Sequence, residues 1–98
     1  MSQKVNLAIQ VLPLGIAKKE AYKIIDEAIK CIKRSGHNYA VSAFETTIEG
    51  TYDEVMEVLE DIQLACKKAG ATEVLINMKL QRSFVKDIFI SDKTGKYA

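Results

Sequence analysis

Two segments of strict alternation frame this chain. Near its start Val5, Leu7, Ile9 and Val11 alternate with Asn6, Ala8, Gln10 and Leu12; near its end Val74, Ile76, Met78 and Leu80 alternate with Leu75, Asn77, Lys79 and Gln81. A period of two places one row on each face of a β-strand. Between the two lie segments of another period. Ala21, Ile24, Ile25, Ala28, Ile29 and Ile32 recur at spacings of three and four, and so do Val55, Val58, Leu59, Ile62, Ala65, Cys66 and Ala69. Stripes of that kind are the buried faces of amphipathic helices. The order of these periods limits the fold more than any single residue does.

Local signals punctuate the order. Pro13 and Gly15 end the first strand, because proline cannot donate to a ladder and glycine frees the turn. Gly36 is placed to stop the first helix as a left-handed C-terminal cap. The run from Tyr39 to Gly50 is long for one strand, whose usual length is about five or six residues. It reads as two strands, Tyr39–Ala43 and Thr46–Glu49, folding back around Phe44 and Glu45. Thr51 and Glu54 then have the spacing of a capping box, and Gly70 ends the second helix. The tail from Ser83 to Ala98 carries Phe84, Val85, Ile88, Phe89 and Ile90 without a clear period, so the pattern assigns it no element.

The sum is β-α-β-β-α-β plus a tail. Right-handed crossovers put both helices on one face of a four-stranded antiparallel sheet, which makes an α/β sandwich (an α+β protein) of the ferredoxin-like kind. Ile25, Ile29, Leu59 and Ile62 are expected to pack between helices and sheet. The opposite sheet face, with Ala8, Leu12 and Leu75 among amides, is expected to meet another subunit and give a homodimer or homotetramer.

Composition excludes several function classes. The chain has 98 residues, which is the size of one domain, with 83–98 as its tail. Hydrophobic residues are 48%, charged residues 28%, and the net charge is +1. A nucleic-acid binder would need a concentrated basic face, and a disordered chain would be less hydrophobic and more charged. No run approaches the ~20 apolar residues of a membrane span. Met1–Lys4 leads straight into a strand with no secretory pattern, and Cys31 and Cys66 are isolated thiols. A cytoplasmic, reduced protein is therefore expected. One histidine and two distant cysteines offer no metal-ligand spacing. Cys31 has no histidine at a recognisable spacing, and neither a GxGxxG nor a Walker pattern occurs. The expectation is a binder, with no catalytic residue, no metal and no cofactor.

The stretch Ala43–Gly50, AFETTIEG, is the chemically dense part of the chain. Alternation puts Glu45, Thr47 and Glu49 on one strand face and Thr46 with Ile48 on the other. Taken alone it is also an ordinary strand-to-helix junction, with Gly50 admitting the turn. Four stretches together, "AIQVLPLG", "IKCIKRSGHNYAV", "FETTIEGTYDEVMEVL" and "GATEVLINMKL", resemble the small thiamine-binding, YkoF-like family. The resemblance covers almost all of residues 4–82. Its most specific part is Thr46-x-x-Glu49-Gly50 followed by an acidic-apolar helix; some relatives carry Pro-Met-Gly where this chain has Ala43-Phe44-Glu45.

That resemblance implies a ferredoxin-like fold, assembly through the sheets, and binding of thiamine or its hydroxymethylpyrimidine half without catalysis. Thiamine has an aminopyrimidine edge and a permanently cationic thiazolium ring. A carboxylate can accept from the amine and attract the cation, a threonine hydroxyl can donate or accept, and an aromatic face can stack. The implied ligand residues are Glu49 as the principal polar anchor, Thr46 or Thr47 assisting, Phe44 as a ring face, and Gln10 from the neighbouring strand. Two other readings remain at this level. One is a regulatory module sensing a different small metabolite at a subunit interface; the other is an oligomeric interaction protein without a ligand. A titration with thiamine, its pyrimidine fragment and amino acids separates the three.

Overall fold

The computed structural model describes residues 3–97, so the readings that touch Met1, Ser2 and Ala98 lie outside the described residues. The central strand is β1 (Lys4–Pro13), whose inward row is wholly aliphatic. It pairs with β3 (Thr46–Thr51) on one side and with β4 (Val74–Gln81) on the other. β2 (Asn38–Val41) pairs with the outer edge of β3. The sheet order is β2-β3-β1-β4, antiparallel throughout. Two helices, α1 (Lys18–Arg34) and α2 (Tyr52–Lys68), pack on the face carrying Val5, Leu7, Ile9 and Val11. This is the expected ferredoxin-like β-α-β-β-α-β sandwich.

The local signals account for most boundaries. The N-cap of α1, Ala17, makes no side-chain bond, but α2 has the full capping box. Glu54 N donates to Thr51 Oγ1 at 3.3 Å and Thr51 N donates to Glu54 Oε1 at 2.8 Å. The bond from the Thr51 backbone, followed by the Thr51 hydroxyl, holds the Glu54 carboxyl below its ordinary pKa. Gly36 follows α1 with φ at 80°, the left-handed conformation expected of it. Gly50 is glycine for a different reason. A Cβ there would lie 3.3 Å from Glu54 Oε1 and 3.4 Å from Val55 Cγ1, so the residue leaves room for the first turn of α2.

The hairpin strands depart from the expected bounds: β2 begins at Asn38, and β3 runs past Glu49 to Thr51. β2 ends at Val41 and not at Ala43, because Ser42 donates twice to the Glu45 carbonyl, from its N at 2.9 Å and from its Oγ at 2.8 Å. Those bonds close a four-residue turn and lift Ala43 and Phe44 out of the ladder. The centre of the α1 stripe also differs. Ile24, Ala28 and Ile32 are the residues sealed in the core, whereas Ile25 and Ile29 stay half-buried. On α2, Ile62 is fully buried as expected, and Leu59 packs against the core from its edge.

The tail, which the sequence pattern left without an element, has a defined course. Ile88 N donates to the Lys4 carbonyl at 2.9 Å, and Lys4 N donates to Asp87 Oδ1 at 2.7 Å. Ile88 and Ile90 are buried, and a short helix α3 (Ser91–Thr94) and a 3-10 turn (Gly95–Tyr97) follow. The sheet face opposite α1 and α2 is therefore covered at one end by the chain itself. No described helix is long and apolar enough to cross a membrane.

Candidate ligand cleft

Two hollows flank the AFETTIEG stretch, one on each face of the sheet. The larger, of about 390 Å³, lies between α1 and the end of the sheet beside the β2–β3 hairpin. Ligand sites of small molecules usually occupy about 300–1,000 Å³ and are mostly apolar with a few polar groups. The floor of this cleft is Ile9 and Val11 of β1, and its helical wall is Ile25, Ala28 and Ile29. Ala28 matters here. It sits in the sealed stripe of α1, but its single methyl group leaves space that a larger aliphatic residue would fill.

Polar groups enter the cleft sparingly. Thr46 opens β3 on the inward row and is only 6% exposed. Its hydroxyl makes no hydrogen bond among the described residues, yet no described side-chain polar atom is both sealed and unpartnered. The hydroxyl therefore opens onto the cleft that Thr46 lines. Ser42 also lines the cleft, with its Oγ engaged in the hairpin turn. Tyr22 from α1 and Phe44 from the hairpin lie at the margin. Among the described lining residues the one charged residue is Glu45. Its carboxylate faces away, reaching Lys79 Nζ at 3.2 Å across the sheet's other surface.

The second hollow, of about 280 Å³, lies on that other surface and is lined by Asn6, Ala8, Thr47, Lys79, Gln81 and Lys93 among others. On this face several polar side chains already have partners. Gln10 Oε1 accepts from Asn77 Nδ2 at 3.2 Å. Lys93 Nζ donates to Asn6 Oδ1 at 2.7 Å, and Asn6 Nδ2 donates to the Ile88 carbonyl at 3.1 Å.

The structure thus divides the residues that the sequence grouped. Thr46 and Phe44 present side chains to the cleft. Gln10 lines it as well, but alternation turns its amide to the opposite face, where Asn77 holds it. Thr47 belongs to the smaller hollow. Glu49 lines neither. Its Oε1 accepts from Ile90 N at 2.6 Å and its Oε2 from Asn38 Nδ2 at 3.4 Å, so this carboxylate fastens the tail to the sheet. Tyr22 and Ser42 are among the cleft residues that sequence reading did not select. For Tyr22 a signal existed: Tyr22, Ile25 and Ile29 are spaced by three and four and form a second ladder beside the core stripe.

Known proteins share this architecture. A domain of unknown function, DUF77, from Bacillus cereus superposes with a TM-score of 0.90 at 37% identity, covering 100% of this chain and 93% of that one. A Thermotoga maritima protein described as a candidate for thiamine biosynthesis or salvage superposes with a TM-score of 0.88 at 26% identity, covering 97% of this chain and 99% of that one. A UPF0045 protein of Clostridium perfringens is 29% identical over 92 residues, which is 94% of this chain and 95% of the relative. The sequence profile described as thiamine-binding protein matches residues 7–98, and with it the chain belongs to the thiamine-binding protein family.

Proposed function

We propose that this chain binds thiamine or its hydroxymethylpyrimidine half in the cleft between α1 and the β2–β3 hairpin, without catalysis, as a carrier, buffer or salvage accessory in the cytoplasm. The observation that carries the reading is the Thr46 hydroxyl, which opens onto an apolar cleft of ligand size with no partner of its own among the described residues. An aminopyrimidine suits such a place. Its flat ring replaces water against Ile25, Ala28 and Ile29, and its ring nitrogen or amine completes the threonine. Family membership supplies the ligand class. In this reading Glu49 is no ligand contact: its carboxylate holds the tail and Asn38.

The uncovered part of the other sheet face, with Leu12 and Leu75, is the proposed contact for a homodimer or homotetramer; Leu75 is 49% exposed. A calorimetric titration of thiamine and hydroxymethylpyrimidine against the wild type and a Thr46→Val variant tests the binding reading. Saturable binding that the variant weakens supports it. A flat response of the wild type to both compounds refutes it.

A further inference from the structure

Two aromatic rings at the cleft margin are left uncovered by the fold. Tyr22 is 57% exposed and Phe44 is 81% exposed, although both line a cavity whose other walls are aliphatic. Neither ring is needed to close the core, because the sealed stripe of α1 runs through Ile24, Ala28 and Ile32. Phe44 is held out by the Ser42–Glu45 turn, which removes it from the ladder and sets it on the hairpin side of the cleft. Tyr22 comes from the helix side. Its ring already receives a cation: Lys18 Nζ stands 5.8 Å from the ring centroid. Aromatic faces attract cations through the negative potential of their π surfaces, and the attraction grows as water is excluded.

We infer that Tyr22 and Phe44 form a cation-selective aromatic mouth, taking a planar, positively charged ring at the entrance while the uncharged interior takes a neutral heterocycle. The inference rests on the proposed binding reading and adds to it the property that selects the ligand. The interior contributes no fixed charge, since the Glu45 carboxylate is turned to Lys79 on the far surface. Preference for a cation must then come from the two rings. Lys18 acts as a competitor for the Tyr22 face, and removing its ammonium frees that face for the ligand.

The test compares three probes by calorimetry: thiamine, hydroxymethylpyrimidine, and deazathiamine, the isostere in which the quaternary ring nitrogen is replaced by carbon. The wild type should bind thiamine about fivefold or more tighter than deazathiamine, within the range that cation–π contacts give. Tyr22→Ala and Phe44→Ala should each reduce that preference and leave hydroxymethylpyrimidine within about twofold, whereas Tyr22→Phe should retain it. Lys18→Met should tighten thiamine by about twofold and leave deazathiamine unchanged. A wild type that binds thiamine and deazathiamine equally overturns the aromatic mouth and leaves the binding reading intact. The same holds if the preference survives both alanine variants. A wild type that binds none of the three probes overturns both.

Discussion

Replacing Thr46 by valine should move stability and ligand affinity in opposite directions. The two side chains have nearly the same shape, so the inward row of β3 keeps its packing. The hydroxyl that is lost has no hydrogen-bond partner among the described residues, and the residue is only 6% exposed. Exchanging a poorly solvated hydroxyl for a methyl should leave folding stability unchanged or raise it by up to about 1 kcal/mol. In the complex the same hydroxyl makes one hydrogen bond to the ligand. A neutral hydrogen bond contributes about 0.5–1.5 kcal/mol net, so binding should weaken about twofold to tenfold. Urea denaturation monitored by circular dichroism gives the first quantity, and calorimetric titration with thiamine gives the second. If Thr46→Val loses more than about 1 kcal/mol of stability, the hydroxyl is a structural group and not a free hook. Full affinity in a folded variant would remove Thr46 from the site.

Two further outcomes follow from the polar network. Glu49→Ala should release the tail, seen as faster hydrogen exchange at the Ile90 amide that the carboxylate now holds at 2.6 Å, with thiamine affinity changed by less than about threefold; a loss of affinity without faster exchange would restore Glu49 to the role of ligand anchor. The lowered pKa of Glu54 means that its ionised form stabilises the fold above the ordinary carboxylate pKa of 4.5, and that this contribution is lost as pH falls through the lowered value. The denaturation midpoint of the wild type should therefore fall on acidification below 4.5, and Glu54→Gln should show a flatter profile over that range; parallel profiles would show that the capping box carries no acid sensitivity.

The fold was legible because its signals are local and repeated. Each strand of alternation has several members, the Thr51–Glu54 box fixes where α2 begins, and Gly36 stops α1 with a positive φ. Ile25 and Ile29 show where that legibility fails. Residues at three-four spacing cover an arc of the helix, and only packing decides which part of the arc faces the sheet. Here Ile24, Ala28 and Ile32 take the centre, and the other two become the cleft wall. The same kind of limit separated Thr46 from Thr47. Alternation put them on opposite faces, but it could not say which face held the better cavity. Glu49 was beyond sequence reasoning altogether, because its partner is the backbone of Ile90, forty-one positions away in a tail with no readable period.

The most direct test of the central claim is a methyl-resolved NMR titration of isoleucine-labelled protein with thiamine. Ile25 and Ile29 line the cleft, whereas Ile88 and Ile90 lie with the tail on the other side of the sheet. Binding in the cleft predicts saturable shifts of the Ile25 and Ile29 δ1-methyl signals, with Ile88 and Ile90 nearly still. Shifts confined to Ile88 and Ile90, or no saturable shift at all, would contradict it.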